Sequence, residues 1–296
     1  MPERDRYIPG VPCWIDTNQP DAEAAVAFYR GLFGWEIEDA MPPASEQHYF
    51  MARIRGDDVA GISPIAEGVS RSAGWDTYIW VQSVDDTAAK VTDAGGQIVI
   101  EPTDVMEAGR TAVFSDPEGA VFCVWEPGQH RGAQVVNEPG SLNFNNLNTH
   151  DAAAAKAFYG AVFGWGTMPM GGGAEAWTLP GYGDHLELLN PGTRERMASM
   201  GAPAGFEDVV ATLTPLPDHD RDVPAHWSVT FAVEDADATA SRARDLGGQV
   251  IAGPFDAPWV RMAVISDPQG ATFIASQFVP ENRDLGSPDR ASVSAA

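Results

Sequence analysis

Ala27-Phe28-Tyr29-Arg30-Gly31-Leu32-Phe33-Gly34-Trp35 returns 130 residues later as Ala157-Phe158-Tyr159-Gly160-Ala161-Val162-Phe163-Gly164-Trp165. A second stretch, Ser115-Asp116-Pro117-Glu118-Gly119-Ala120-Val121-Phe122, returns as Ser266-Asp267-Pro268-Gln269-Gly270-Ala271-Thr272-Phe273, now 151 residues on. A fixed-period self-match of this kind marks a duplicated structural unit. The change of offset places an insertion in the second copy, near 180–209.

Each copy divides again into two similar halves. Trp14–Thr17 suits a strand, and Ala22, Ala25, Val26, Tyr29, Leu32 and Phe33 follow at helical spacing. Pro20 is read into the first turn of that helix, and Gly34 supplies its left-handed stop. Strands are expected near 46–54 and 58–65. The second half repeats the order, with a strand over 75–83, a helix over 85–94 and strands over 97–101, 110–115 and 119–126. Asp116-Pro117-Glu118-Gly119 has Pro and Gly where a hairpin turn needs them. In copy two, strands are expected over 141–148, 175–179, 209–216, 226–233, 249–253, 260–266 and 270–278, and helices over 151–163 and 236–246. Pro191–Met200 is expected to form a short helix in the insertion. The resulting fold class is α+β, two tandem domains each made of paired βαβββ modules forming a cupped sheet. Their bounds are 1–127 and 141–279, joined by a polar linker over 128–140. A disordered tail is expected over 280–296.

The chain has 296 residues, 44% of them hydrophobic and 20% charged, as a globular protein has. A net charge of −24 repels phosphate backbones and anionic lipid, so neither nucleic acid nor membrane is an expected partner. The apolar runs are strand-sized, and the first ten residues carry no apolar signal core, so a cytoplasmic location is expected. Cys13 and Cys123 are too few for a disulfide scaffold and read as reduced core thiols.

A strand–helix–strands unit with an Ala-Phe-Tyr-x-x-x-Phe-Gly-Trp helix end and an Asp-Pro-x-Gly hairpin before its last strand resembles the vicinal oxygen chelate superfamily. That superfamily includes glyoxalase I, bleomycin-resistance proteins and extradiol dioxygenases. The resemblance spans residues 11–127 and 141–279, and is strongest to tandem actinobacterial glyoxalase-like proteins. It implies a divalent metal held in each cup by His, Gln or Glu from the first and last strands of each half. At the matching positions this chain has Trp14 and Phe144, Asp76 and Ser228, Cys123 and Ile274, Gly61 or Ile62, and Thr212 or Leu213. Too few donors remain for a metal centre, which wants three or four N, O or S ligands on one point. No metal or other cofactor is therefore expected. One alternative cluster, His185, Glu187 and His226, stands as a noncanonical metal site.

The expected cups offer aromatic walls instead. Strand alternation puts Trp14 with Asp16, Asp76 with Tyr78 and Trp80, and Val121 with Cys123 and Trp125. In copy two the matching sets are Phe144 with Asn146; Ser228, Thr230 and Ala232; and Thr272, Ile274 and Ser276. Glu187 and His226 join these as candidate ligand contacts, and Arg261, like Arg110, is either an ion-pair partner or an anchor for a ligand oxygen. That the aromatics simply fill the core is the competing reading, but inward carboxylates such as Asp16 and Asp76 need a partner or a use. The expected function is metal-independent binding of a small, flat, largely apolar organic molecule; the alternative is a glyoxalase-type lyase, isomerase or oxygenase using the noncanonical site. With all four modules in one chain, a monomer is expected. The small walls of copy two and its insertion predict the larger pocket there.

Overall fold

The computed structural model describes residues 6–66, 71–171, 174–217, 219, 222–283 and 285. Copy one opens with β1 (Pro12–Gln19), α1 (Ala22–Phe33), β2 (Glu36–Asp39), β3 (Phe50–Ile54) and β4 (Asp57–Pro64). It continues with β5 (Gly74–Trp80), α2 (Val84–Asp93), β6 (Gln97–Val105), β7 (Gly109–Ser115) and β8 (Val121–Pro127). Copy two opens with β9 (Leu142–Thr149), α3 (Ala152–Phe163), β10 (Gly166–Gly171) and β11 (Ala174–Thr178). The insertion supplies α4 (Tyr182–Leu189) and α5 (Thr193–Ser199) before β12 (Val209–Pro215). The last module is β13 (His226–Ala232), α6 (Ala236–Asp245), β14 (Gln249–Ala257), β15 (Val260–Ser266) and β16 (Thr272–Phe278). The chain is thus α+β, with two eight-stranded sheets ordered β2-β3-β4-β1-β5-β8-β7-β6 and β10-β11-β12-β9-β13-β16-β15-β14.

Local chemistry sets the boundaries. Asp21 caps α1 by accepting from Ala24 N, and Gly34 closes it at φ +72°. Pro20 therefore precedes the cap and lies outside the first turn where it was expected. β2 and β10 were not expected: Glu36-Ile37-Glu38-Asp39 and the Pro169-bearing Gly166–Gly171 lack strand-like runs, and pairing with β3 and β11 makes them strands. The 128–140 stretch is less polar in place than in sequence, with Ala133 and Val135 buried and Gln134 N bonded to Asp58 O at 2.7 Å. Most of the expected tail lies outside the described residues, but Pro280–Asn282 form a 3₁₀ turn, tied to Asp256 and the Val260 carbonyl through Asn282.

Compactness cuts across the copies. One unit gathers 1–13, 77–132 and 145–227; the other gathers 14–76, 133–144 and 228–296. Each unit therefore holds one module from each copy, and the two repeated motifs meet inside it. In the second unit Tyr29 lies among Trp35, Trp75 and Phe273, and its hydroxyl donates to Asp267 Oδ2 at 2.9 Å while accepting from Trp75 Nε1 at 3.1 Å. Asp267 is held by its own hairpin, with Gln269 N and Ala271 N both at 2.9 Å from Oδ1, and by Gln19 Nε2. In the first unit Tyr159 donates to Asp116 at 3.2 Å and accepts from Trp227 Nε1 at 2.9 Å, with Glu118 N and Ala120 N on Asp116 Oδ1. A buried carboxylate is tolerable because every such bond offsets its lost hydration. The residue two after each Asp reaches the partner module's helix start: Gln269 to Asp21 N, and Glu118 to Thr149 Oγ1 and Asp151 N. The repeated Tyr and Asp-Pro-x-Gly are thus a structural lock.

Candidate functional site

In the second unit, β1 presents Trp14, Asp16 and Asn18 on one face, opposite the one that carries Ile15, Thr17 and Gln19. Trp14 and Asp16 are 2% and 4% exposed. Parallel pairing with β4 sets Asp16 opposite Gly61 and Asn18 opposite Ser63. Tyr49 comes from the irregular segment between β2 and β3, whose ends are tied by Ala40 N to Tyr49 O at 2.8 Å. Its hydroxyl accepts from Trp14 Nε1 at 2.9 Å and donates to Asp16 Oδ2 at 3.1 Å. Gly61 makes the room: a Cβ there would stand 2.1 Å from the Tyr49 hydroxyl. A glycine inside a strand marks such a close approach.

The second carboxylate of this face is Asp76, also buried. Asn18 Nδ2 donates to it at 2.7 Å, and Arg71 grips both oxygens, at 3.0 and 3.1 Å. Ser63 Oγ donates to Asn18 Oδ1 and so orients that amide. The bidentate Arg–carboxylate geometry is the strong, directional kind. Asp16 and Asp76 thus both lie inward, as the alternation predicts, but held by a phenol and by a guanidinium, and Tyr49, Asn18, Ser63 and Arg71 were missed. The lone Gly61 in an otherwise substituted strand was the one available signal for Tyr49.

The first unit holds the other candidates. Register pairs Tyr78 with Cys123 and Trp80 with Trp125. Tyr78 meets Trp125 edge to face at 6.4 Å, Tyr7 lies tilted against Trp80 at 5.8 Å, and Trp125 Nε1 donates to His130 O. Trp80, Cys123 and Trp125 are buried, while Tyr78 is half-buried. A surface depression of about 470 Å³ lies nearby, against Met106, Glu107 and Ala108 of copy one and Gln129 and His130 of the linker. On β9, Asn146 Oδ1 accepts from Thr212 Oγ1 and Thr214 Oγ1 at 2.8 and 2.9 Å, and Asn146 Nδ2 donates to Asn148. The Pro224 carbonyl holds the proton on His226 Nδ1, so Nε2 accepts from Asn148 Nδ2 at 3.3 Å. In the second unit, Phe144 and Ser228 are half-buried and Thr230 and Ser276 are buried.

Two expected contacts have partners within the chain. Glu187 accepts from Gly192 N at 2.6 Å and Arg194 N at 3.2 Å, capping α5, and those backbone bonds lower its pKa. Arg261 pairs with Asp237 and Asp256, which raise its pKa, and so ties α6 to β14. Arg110 does the same with Asp85 and Asp104. Among the described residues, no three His, Cys, Asp or Glu side chains are placed to hold a metal ion, so His185, Glu187 and His226 do not converge. His185 Nε2 faces the Arg6 carbonyl instead. The metal of the resemblance does not fit this donor set: at the matching positions Trp14, Phe144 and Ile274 carry no donor, Asp76 is already held by Arg71 and Asn18, and Cys123 is a buried thiol.

The model of the Glyoxalase/Bleomycin resistance protein/Dioxygenase superfamily matches residues 14–124 and again 141–274. The chain belongs to this superfamily. Two matches in tandem agree with the duplication and with the sheets. Among superfamily relatives, CFP32 of Mycobacterium tuberculosis, which carries a glyoxylase name, is 39% identical over 95% of this chain and 100% of its own length. The anthracycline biosynthesis protein DauV of a Streptomyces species is 35% identical over 90% of this chain and 93% of its own. Solved superfamily folds align at low identity: the Mn(II)-bound glyoxalase of Novosphingobium aromaticivorans (TM-score 0.57, 16% identity, 91% of this chain and 83% of that one) and the 2,3-dioxygenase LapB of a Pseudomonas species (0.57, 14%, 92% and 93%). At such identity they show the fold alone. No helix among the described residues is long and apolar enough to cross a membrane.

Proposed function

We propose that this chain binds a small, flat, largely aromatic organic molecule without a resident metal. The observation that supports it most is the β1 face: where the resemblance expects a metal donor, this chain has Trp14, its indole N–H held by the Tyr49 hydroxyl, and the face also carries the carboxylates of Asp16 and Asp76, both buried and each already hydrogen-bonded. An apolar wall with a few oriented polar groups is what small-molecule sites are made of. Two relatives are named for anthracycline biosynthesis, and an anthracycline is a polycyclic aromatic, so that class of molecule is a reasonable first ligand. The test is calorimetric titration with a hydroxyanthraquinone, with and without EDTA. Equal affinity in both buffers is expected. Loss of binding with EDTA, or one tightly held transition metal per purified chain, overturns the metal-free reading.

The same reading makes the protein a monomer that carries its own modules in full. Light scattering at moderate salt should give the mass of one chain, and a stable dimer would contradict it.

A further inference from the structure

We propose that the position bounded by Trp14, Asp16 and Gly61 takes the hydroxyl of a phenolic ligand, and that Tyr49 is the internal phenol that holds this position when no ligand is present. This deepens the binding function proposed above and rests on it. The chemistry of the position is stated by its occupant. An indole N–H donates to a phenol oxygen at 2.9 Å, and that oxygen's proton is accepted by a buried carboxylate at 3.1 Å. A phenol is both donor and acceptor, so it satisfies both neighbours at once; an ether or a ketone has no proton for Asp16.

Comparison of the two copies isolates what is special here. On β9 the residue matching Asp16 is Asn146, and its strand partner, matching Gly61, is Thr212. Thr212 Oγ1 donates to Asn146 Oδ1 at 2.8 Å, so copy two supplies the hydroxyl from its own neighbouring strand. Copy one has glycine at that place and lets a hydroxyl arrive from outside the sheet. It is Tyr49 that arrives, carried by an irregular segment, half-buried, its ring hydroxyl the far end of a flexible side chain. A strand residue cannot leave without breaking the sheet, whereas a side chain on a connecting segment exchanges with a ligand at small cost.

The experiment compares 1-naphthol with 1-methoxynaphthalene, the same flat ring without the O–H donor, by calorimetry. Circular dichroism confirms that each variant is folded. Tyr49→Ala should bind 1-naphthol at least about tenfold more tightly than the wild type, because the internal competitor is gone. That variant should also prefer 1-naphthol over the ether by about tenfold or more, since only the naphthol brings a proton for Asp16 to accept. Adding Gly61→Thr to Tyr49→Ala, which builds copy two's hydroxyl into copy one, should erase the preference. If that double variant does not fold, Asp16→Ala with Tyr49→Ala, which removes the acceptor of the hydroxyl proton, replaces it, with the same expectation. Equal 1-naphthol affinity in the wild type and Tyr49→Ala, no preference over the ether, or a preference that survives these second substitutions overturns the phenol site. If wild type and variants bind both probes alike, the phenol site falls while aromatic binding stands; if none binds either probe, both fall.

Discussion

Tyr29 and Tyr159 show how one side chain type serves two purposes in this molecule, since both are lock residues whereas Tyr49 stands over the candidate site. Burial raises the pKa of Tyr29 and Tyr159 well above normal, and the facing Asp267 and Asp116 add to it. Tyr7 is raised in the same way, and burial pushes Tyr182 up to about 12. A phenol with a raised folded pKa contributes stability that is complete below the ordinary tyrosine value of about 10 and lost as pH rises through the folded one. Ultraviolet titration should therefore find at least four of the six tyrosines un-ionised past that value until the protein unfolds. Early titration of all six would contradict the lock. Tyr159→Phe strips Asp116 of a donor and Trp227 of an acceptor, and should cost about 1–3 kcal/mol in chemical denaturation. Of the site, Trp14, Asp16 and Asp76 were legible from alternation alone, because a strand's period is two whatever its neighbours do. Tyr49 and Arg71 were not, since each reaches the face from an irregular segment whose path depends on tertiary contacts. The partners of Glu187 and Arg261 were not legible either, because a capping or ion-pair partner a few residues or one element away leaves no mark in the spacing.

Elements were more legible than contacts. The helices α1, α2, α3 and α6 follow from capping residues and glycine stops, which act within a few positions. The insertion was read as one short helix, but α4 precedes α5, and Glu187 from the end of α4 caps the start of α5. Glycine at helix ends is testable. Gly34 and Gly164 sit at φ +72° and +74°, and a Cβ at either position would meet nothing within 4 Å. Gly34→Ala should therefore lose only the backbone preference, about 1–2 kcal/mol, with fold and binding intact. Gly96 differs, because a Cβ there would meet the Ser115 carbonyl at 2.7 Å, Phe158 and Val91 at 2.8 Å. Gly96→Ala should destabilise clearly more than Gly34→Ala in the same denaturation assay, and the reverse order would count against this packing.

At the scale of the molecule, duplication was plain in the sequence because it is a linear signal. That compactness joins modules of different copies was not, because residues 248 positions apart, such as Asp21 and Gln269, meet only in space. A fragment ending at residue 140 contains a whole sequence copy, yet α1 lacks Phe231 and Phe273, and Asp116 lacks Tyr159. It is expected to be unfolded, or to dimerise so that each helix finds a face; a well-folded monomer of residues 1–140 would refute this. Co-expression of 1–136 with 137–296 should restore the native circular dichroism spectrum. The crossed arrangement also bears on how the chain matures during translation. The unit that begins at Trp14 takes its other wall from residues beyond 228, so its amino-terminal module must wait, half-covered, until nearly the last strand has left the ribosome. For that interval Tyr29, Phe28 and Phe33 present an apolar face to the cytosol of any producing cell, and chaperone demand should peak there rather than after the first copy is complete.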